Sequence, residues 1–152
     1  MQTQSEISEN VKLARRFVEG VLGGADPQAF DELVADNVWV STGLKPDAPI
    51  TSKAEYGRVL SETLGKAFSE GDMKIDELLE TSDGRVVVRF TATALHSGEL
   101  YGVPPTGKRV VFAEMHLLRF ADGKLVENFV GGLNPLSYEM IFADYIKPLV
   151  LS

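Results

Sequence analysis

Glu114 and His116 are the two residues whose types and spacing most strongly suggest chemistry. One residue separates them in a mostly apolar stretch, residues 108–120. If this stretch is a β-strand, its side chains alternate between two faces, so Glu114 and His116 share a face. A carboxyl group and an imidazole placed together could remove a proton beside a carbonyl and return it elsewhere. The same spacing also suits a structural pair in which the imidazole satisfies the carboxylate.

The neighbours of this pair indicate which strand face is the inner one. Large apolar residues share the face of Glu114 and His116, namely Val110, Phe112, Leu118 and Phe120. The opposite face ends in Arg119, which prefers water or an acidic neighbour. We therefore expect the pair on the inner wall of a pocket. By the same alternation, His96 faces inward near the end of the preceding strand and is a third candidate catalytic residue.

The last strand, residues 124–130, allows two orientations. Either Val126, Asn128 and Val130 face inward, or Leu125, Glu127 and Phe129 do. We favour the first, because it lets Glu127 meet Arg119 outside and brings Asn128 towards the pocket. The residues expected to contact a substrate are apolar or aromatic, together with this asparagine: Trp39, Tyr56, Phe90, Tyr101, Phe112, Leu118 and Asn128.

The sequence also bears on two other site types. His96, Glu114 and His116 are of the right types for a two-histidine, one-carboxylate metal site, but three common ligands form a weak pattern. We expect no metal and no cofactor. Residues 102–108, GVPPTGK, match the start of a phosphate-binding loop. Two prolines remove backbone donors there, Arg109 replaces the hydroxyl residue, and a strand follows instead of a helix.

Helical patterns come first along the chain and strand patterns follow. Helices are expected over residues 7–21, after a cap at Asp26, over residues 53–68 behind a Ser52–Glu55 capping box, and over residues 135–147. Strands are expected at residues 38–40, 73–80, 85–97, 108–120 and 124–130. This order predicts an α+β fold in a single domain, residues 1–152, whose curved antiparallel sheet wraps around the N-terminal helices and encloses an apolar pocket.

Composition narrows the possible partners. The chain has 152 residues, no cysteine and a formal net charge of −7. Such a charge repels nucleic acid and anionic lipid, so we expect neither as a partner. No apolar run approaches the roughly 20 residues that span a membrane. The first residues lack the basic and apolar regions of a signal peptide, so a cytoplasmic protein is expected.

Two segments, HSGELYGVPPTGKRVVF and LLRFADGKLVENF, resemble the SnoaL-like polyketide cyclases of the nuclear-transport-factor-two-like superfamily. The shared pattern is a histidine, Gly-Glu, Gly-x-Pro-Pro-Thr-Gly, a strand, Asp-Gly-Lys and Val-Glu. Here it comprises His96, residues 98–99, 102, 104–107 and 122–127. The resemblance is strong over residues 86–129, and its Pro-Pro-Thr-Gly segment is quite specific.

The resemblance implies a cone-shaped α+β barrel that assembles as a homodimer or homotetramer. It also implies cofactor-free aldol-type ring closure, in which an inner-wall carboxylic acid acts on an enolisable polyketide. Glu114 or its neighbourhood is where we expect that acid, and His96 matches the family's histidine. After Val-Glu, the family often has histidine, tryptophan and then aspartate, whereas this chain has Asn128, Phe129 and Val130.

Three hypotheses follow. The first is an acid–base enzyme, a cyclase, isomerase or carbon–carbon lyase, that acts on a small apolar or aromatic substrate with Glu114 and His116. In this hypothesis, His96 and Asn128 orient the substrate or stabilise an oxyanion. The second is a non-catalytic module that binds a small ligand. The third is a structural subunit that assembles through its sheet, whose outer surface Arg89, Thr91 and Thr93 would mark.

Overall fold

A computed structural model describes residues 7–131 and 141–142. In this part of the chain, five strands form one curved, unclosed sheet in the order β1-β5-β4-β3-β2. They are β1 (Val34–Ser41), β2 (Phe68–Glu80), β3 (Val86–His96), β4 (Arg109–Ala121) and β5 (Lys124–Gly131). Strands β2 to β5 pair antiparallel, as expected, while β1 lies parallel to β5.

Three helices pack on the concave side of this sheet. Helix α1 (Glu9–Arg16) continues as a π-helical segment, Phe17–Leu22, and α2 (Ala29–Leu33) leads directly into β1. Helix α3 (Lys53–Val59) likewise continues as a π-helical segment, Leu60–Gly65. None of the helices in residues 7–131 is long and apolar enough to cross a membrane. The α+β class inferred from the sequence is therefore confirmed.

Element boundaries differ from expectation where the chain turns or bulges. Helix α2 begins at Ala29 and not directly after Asp26, because Asp26 accepts hydrogen bonds from the backbone of Gln28 and Ala29 and forms a turn first. Phe68, expected on a helix, opens β2. The Ser52 cap is confirmed, since its hydroxyl accepts from Glu55 N. The helix expected over residues 135–147 lies outside the described residues apart from Ile141 and Phe142, which are helical.

The alternation expected for β3 and β4 is confirmed by burial. On β4, His116 is 2% exposed and Leu118 is fully buried, whereas Met115 on the other face is 46% exposed. On β5, Asn128 is fully buried and Glu127 lies outside with its carboxylate 3.9 Å from Arg119 Nε, as we favoured. Leu125 is also buried, although simple alternation would put it on the face opposite to Asn128. The pairing of β4 with β5 shifts register between Arg119 and Phe120, so that Leu125 and Asn128, on either side of the shift, both face the core.

Two expected pocket residues prove to lie elsewhere. Trp39 faces the outer side of the sheet beside Leu117 and Phe129, because Val38 and Val40 are both fully buried and the side chain between them must point the other way. Tyr101 is 57% exposed on the loop after β3, where its hydroxyl donates to Leu44 O over 2.8 Å. The predictions that Trp39 and Tyr101 line the pocket are therefore wrong.

His96 fastens the loop that follows β3. Its Nδ1 accepts a hydrogen bond from Thr106 N at 3.2 Å and lies 2.9 Å from Thr106 Oγ1. Its backbone also bonds to Gly107 N and Lys108 O, and its ring lies 5.7 Å from that of Phe68. The histidine, the threonine and the following glycine of the Pro-Pro-Thr-Gly segment therefore form one structural clasp.

Gly98 allows two backbone segments to approach very closely. The amides of Ser97 and Gly98 both donate to Ala67 O at 3.0 Å, which ties the loop after β3 to the start of β2. A Cβ atom added at Gly98 would lie 1.9 Å from Lys66 O. Because both partners are backbone, neither can move aside without breaking these hydrogen bonds.

Gly98→Ala should therefore destabilise the protein by roughly 1–3 kcal/mol, the usual range for overpacking. The measurement is the free energy of unfolding in a urea titration. Glu99→Ala is the matched control, since Glu99 is exposed in the same loop, and it should change stability by no more than about 0.5 kcal/mol. Equal stability of the two variants would contradict the close approach.

The His96 clasp should make stability depend on pH. Burial lowers the pKa of His96, and the backbone of Gly98 offsets part of this effect. The unfolded chain therefore takes up a proton before the folded chain does, so stability present above the ordinary value of about 6.5 is lost as pH falls below it.

We expect the free energy of unfolding to fall from pH 7 to pH 5.5, with a slope below the roughly 1.4 kcal/mol per pH unit of one full proton. In His96→Gln, this fall should be shallower, because glutamine does not titrate. Urea titrations at several pH values provide the comparison. Identical slopes in the two proteins would show that His96 does not resist protonation.

Candidate functional site

A cavity of about 350 Å³ opens between the helices and the concave face of the sheet. Its helical side is formed by the ends of the two π-helical segments, and its sheet side by β2, β3 and β4. Apolar side chains make up most of the lining: Val21, Leu22, Leu60, Leu64, Phe68, Met73, Phe90, Ala92, Ala94 and Phe112. Two carboxylic residues also line it, Asp72 and Glu114. Its size is within the range of small-molecule sites.

Glu114 and His116 are in direct contact at this cavity. His116 Nε2 lies 2.9 Å from Glu114 Oε2. The His116 side chain is 3% exposed and that of Glu114 is 17% exposed, so the carboxyl group reaches the cavity while the imidazole lies behind it. When Glu114 is ionised it has no proton to give, so His116 must donate from Nε2. The expectation that the two residues share the inner face is therefore confirmed.

The sheet register explains the orientation of His116. Its neighbours across the sheet are Val88 on β3 and Val130 on β5, and the ring of Phe90 lies 5.2 Å away, centroid to centroid. These groups offer the imidazole no hydrogen-bond partner, and its buried Nδ1 has none among the described residues. The glutamate two residues earlier on the same strand is therefore the group that holds the ring.

A second polar pair lies beside the first. Asn128 Nδ2 donates to the Tyr56 hydroxyl oxygen over 3.2 Å, which joins β5 to helix α3. Burial raises the pKa of Tyr56, the hydrogen bond from Asn128 opposes this, and the negative charge of Glu114 raises it further. Tyr56 therefore remains a neutral phenol, and it lies close enough to sense the charge of Glu114.

The structure divides the expected site residues into three groups. Glu114, Phe90 and Phe112 line the cavity. His116, Tyr56 and Asn128 are buried beside it in the two polar pairs, and Leu118 is fully buried in the core. His96, Trp39 and Tyr101 do not line it. His96 stands six residues from Phe90, the β3 partner of Glu114, and this separation corresponds to about 20 Å along a strand.

This separation also bears on whether His96, Glu114 and His116 could bind one metal ion together. His96 is too far along β3 to join Glu114 and His116 around one ion. Within residues 7–131, together with 141 and 142, no three histidine, aspartate or glutamate residues come together in a way that could hold a metal.

Sequence reasoning missed the helical and β2 sides of the cavity. Gly23 and Gly24 follow the helix predicted for residues 7–21, and together with Val21 and Leu22 they form one wall. Asp72 and Met73 form another, where the register shifts between Ser69 and Asp72. Glu70 adopts a φ of 50° at this shift. The polar run Ser-Glu-Gly-Asp before Met73 was the available signal of an interrupted strand.

Both the sequence and the fold are similar to those of known proteins. A family model described as SnoaL-like polyketide cyclase matches residues 12–130. Aklanonic acid methyl ester cyclase DauD from Streptomyces sp. (strain C5) is 27% identical over 120 residues, which cover 78% of this chain and 73% of that protein.

Two solved structures illustrate the similarity of fold. AclR from Streptomyces galilaeus, to which a hydroxylase activity is attributed, is 26% identical with a TM-score of 0.72, covering 94% of this chain and 87% of that one. A protein from Jannaschia sp. CCS1, attributed to the SnoaL-like polyketide cyclases, is 20% identical with a TM-score of 0.77, covering 97% and 100%. The chain belongs to the SnoaL-like polyketide cyclase family, and this membership supports a cyclase function.

Proposed function

We propose that this protein is a cofactor-independent cyclase that closes a ring in a small polyketide-like substrate by an aldol-type reaction, with Glu114 as its acid–base group. The observation that carries the proposal is the position of Glu114. Its carboxyl group lines an otherwise mostly apolar cavity and is held by a buried imidazole. The apolar lining suits the hydrocarbon body of such a substrate, and the carboxyl group supplies the chemistry.

The proposed reaction needs one group that first accepts and then donates a proton. The Glu114 carboxylate removes a proton from the carbon next to a substrate carbonyl, which leaves an enolate. The enolate carbon attacks a second carbonyl of the same molecule, forming the new carbon–carbon bond and an alkoxide. Glu114 then returns the proton to the alkoxide, so the reaction consumes no co-reactant. A positioned group of this kind typically contributes about 100- to 10,000-fold in rate.

His116 has a positioning role in this proposal. Its Nε2–H fixes the orientation of the Glu114 carboxylate and satisfies one oxygen, which leaves the other free for the substrate. The apolar residues around the imidazole exclude water, so the bond keeps its strength.

Tyr56 and Asn128 support the same site from the helical side. The bond from Asn128 occupies the phenol oxygen as an acceptor, so the phenol proton is left to donate. Because burial and the charge of Glu114 both raise the pKa of Tyr56, that proton is retained. In this proposal, the pair holds α3 against β5 beside Glu114 and so fixes the distance across the cavity.

Glu114→Gln should lower the rate of cyclisation by about 100- to 10,000-fold, because the amide keeps the shape of the side chain but cannot accept the proton. The assay follows ring closure of aklanonic acid methyl ester, the compound for which the relative DauD is named. Deuterium uptake by the ester from heavy water measures enolate formation separately. Binding of the fluorescent probe 1-aminoanthracene should be unchanged in the variant.

Asp72→Asn is the matched control, because Asp72 is the other carboxylic residue that the described part of the chain contributes to the cavity lining. Its rate should stay close to that of the unaltered protein. Full activity of Glu114→Gln, or loss of activity only in Asp72→Asn, would contradict the role of Glu114. An unaltered protein that binds the ester but neither cyclises it nor exchanges its protons would favour the non-catalytic binding module.

A further inference from the structure

We infer that Gly65 and Gly71 set the width of the cavity mouth and thereby determine which ring systems the protein admits. Both residues line the cavity and both are exposed, so they stand at its rim. The inference rests on the proposed function only in taking this cavity as the substrate site.

Neither backbone conformation nor packing requires glycine at these two positions. Two other glycines of the lining are required: Gly24 has a φ of 72°, and a Cβ at Gly23 would lie 2.6 Å from Glu19 O. Gly65 and Gly71 are not among the residues with positive φ. A Cβ at Gly65 would meet only Leu60 O, at 3.6 Å, and one at Gly71 only Thr93 O, at 3.9 Å.

Glycine at these positions also costs stability. Inside a helix or strand, glycine is less favourable than alanine, because its backbone loses more conformational freedom on folding. Gly65 ends the π-helical segment after α3, and Gly71 lies within β2. At the register shift in β2, the left-handed conformation is adopted by Glu70 and not by Gly71. The absence of side chains at positions 65 and 71 therefore leaves the adjacent space open and does not stabilise the fold.

That space adjoins an aromatic wall. Phe68 lies between the two glycines in the chain and lines the cavity, and its ring meets that of Phe112 edge to face at 5.2 Å. Flat ring systems pack well against such aromatic pairs. Side chains at positions 65 and 71 would narrow the approach to Phe68, and a wide fused-ring molecule would be excluded before a narrow one.

The test compares two fluorescent probes of different width: 2-naphthol, whose two rings form a narrow plate, and 1-hydroxypyrene, whose four rings are also fused side by side and form a wider plate. Gly71→Leu and Gly65→Leu should each weaken binding of the wider probe about 10-fold or more, equivalent to about 1.4 kcal/mol. Binding of the two-ring probe should change far less. Gly131→Leu is the matched control, because Gly131 is outside the cavity lining and pairs with the outward-facing Met115, and its added Cβ would meet only Phe129.

Three results would overturn the inference: unchanged binding of the wider probe in both leucine variants, equal weakening of both probes, or failure of the unaltered protein to bind the wider probe. Circular dichroism on each variant shows whether it is folded, and so whether weaker binding comes from a narrower cavity mouth or from unfolding. Gly71→Ala, with its smaller side chain, should weaken binding of the wider probe less than Gly71→Leu does. Neither measurement involves turnover. An active Glu114→Gln protein would therefore reject the proposed function and leave the probe result standing.

Discussion

The alternation of side chains along β4 is the constraint on which both the core and the candidate site depend. β4 lies between β3 and β5, so its inner face must cover the helices with apolar groups. Glu114 interrupts that face, and a carboxylate there loses hydration. The hydrogen bond from His116 compensates part of this loss, and the cavity leaves the rest of the carboxyl group accessible. One two-residue spacing therefore places a carboxyl group at the cavity without breaking the core.

The sequence predicted the elements with strong periodicity far better than those with irregular backbone. β3 and β4 were located to within one or two residues, because their alternation runs over eleven and thirteen residues. The start of β2 was missed, because the register shift around Glu70 breaks the period of two. The parallel pairing of β1 with β5 was also missed, since a short strand distant in sequence carries no sign of its partner.

For the site, alternation located Glu114, His116 and Asn128, because each lies within a strand whose face is set by its neighbours. It could not place Trp39 or Tyr101, which were chosen for residue type. The opposite wall of the cavity depends on how the ends of two helices meet the sheet. That arrangement is a tertiary contact, and no local pattern encodes it.

The register also bears on the aspartate that the family resemblance places after Val-Glu. The chain has Val130 there, and Val130 is the β5 residue paired with His116. An aspartate at that position would thus lie beside the same imidazole that Glu114 contacts from within β4. The position beside His116 on β5 is thus apolar in this chain. Strand β4 supplies the carboxylate partner of His116, and Val130 packs with the core instead. At this departure from the family pattern, the carboxylate in contact with His116 therefore comes from its own strand and not from β5.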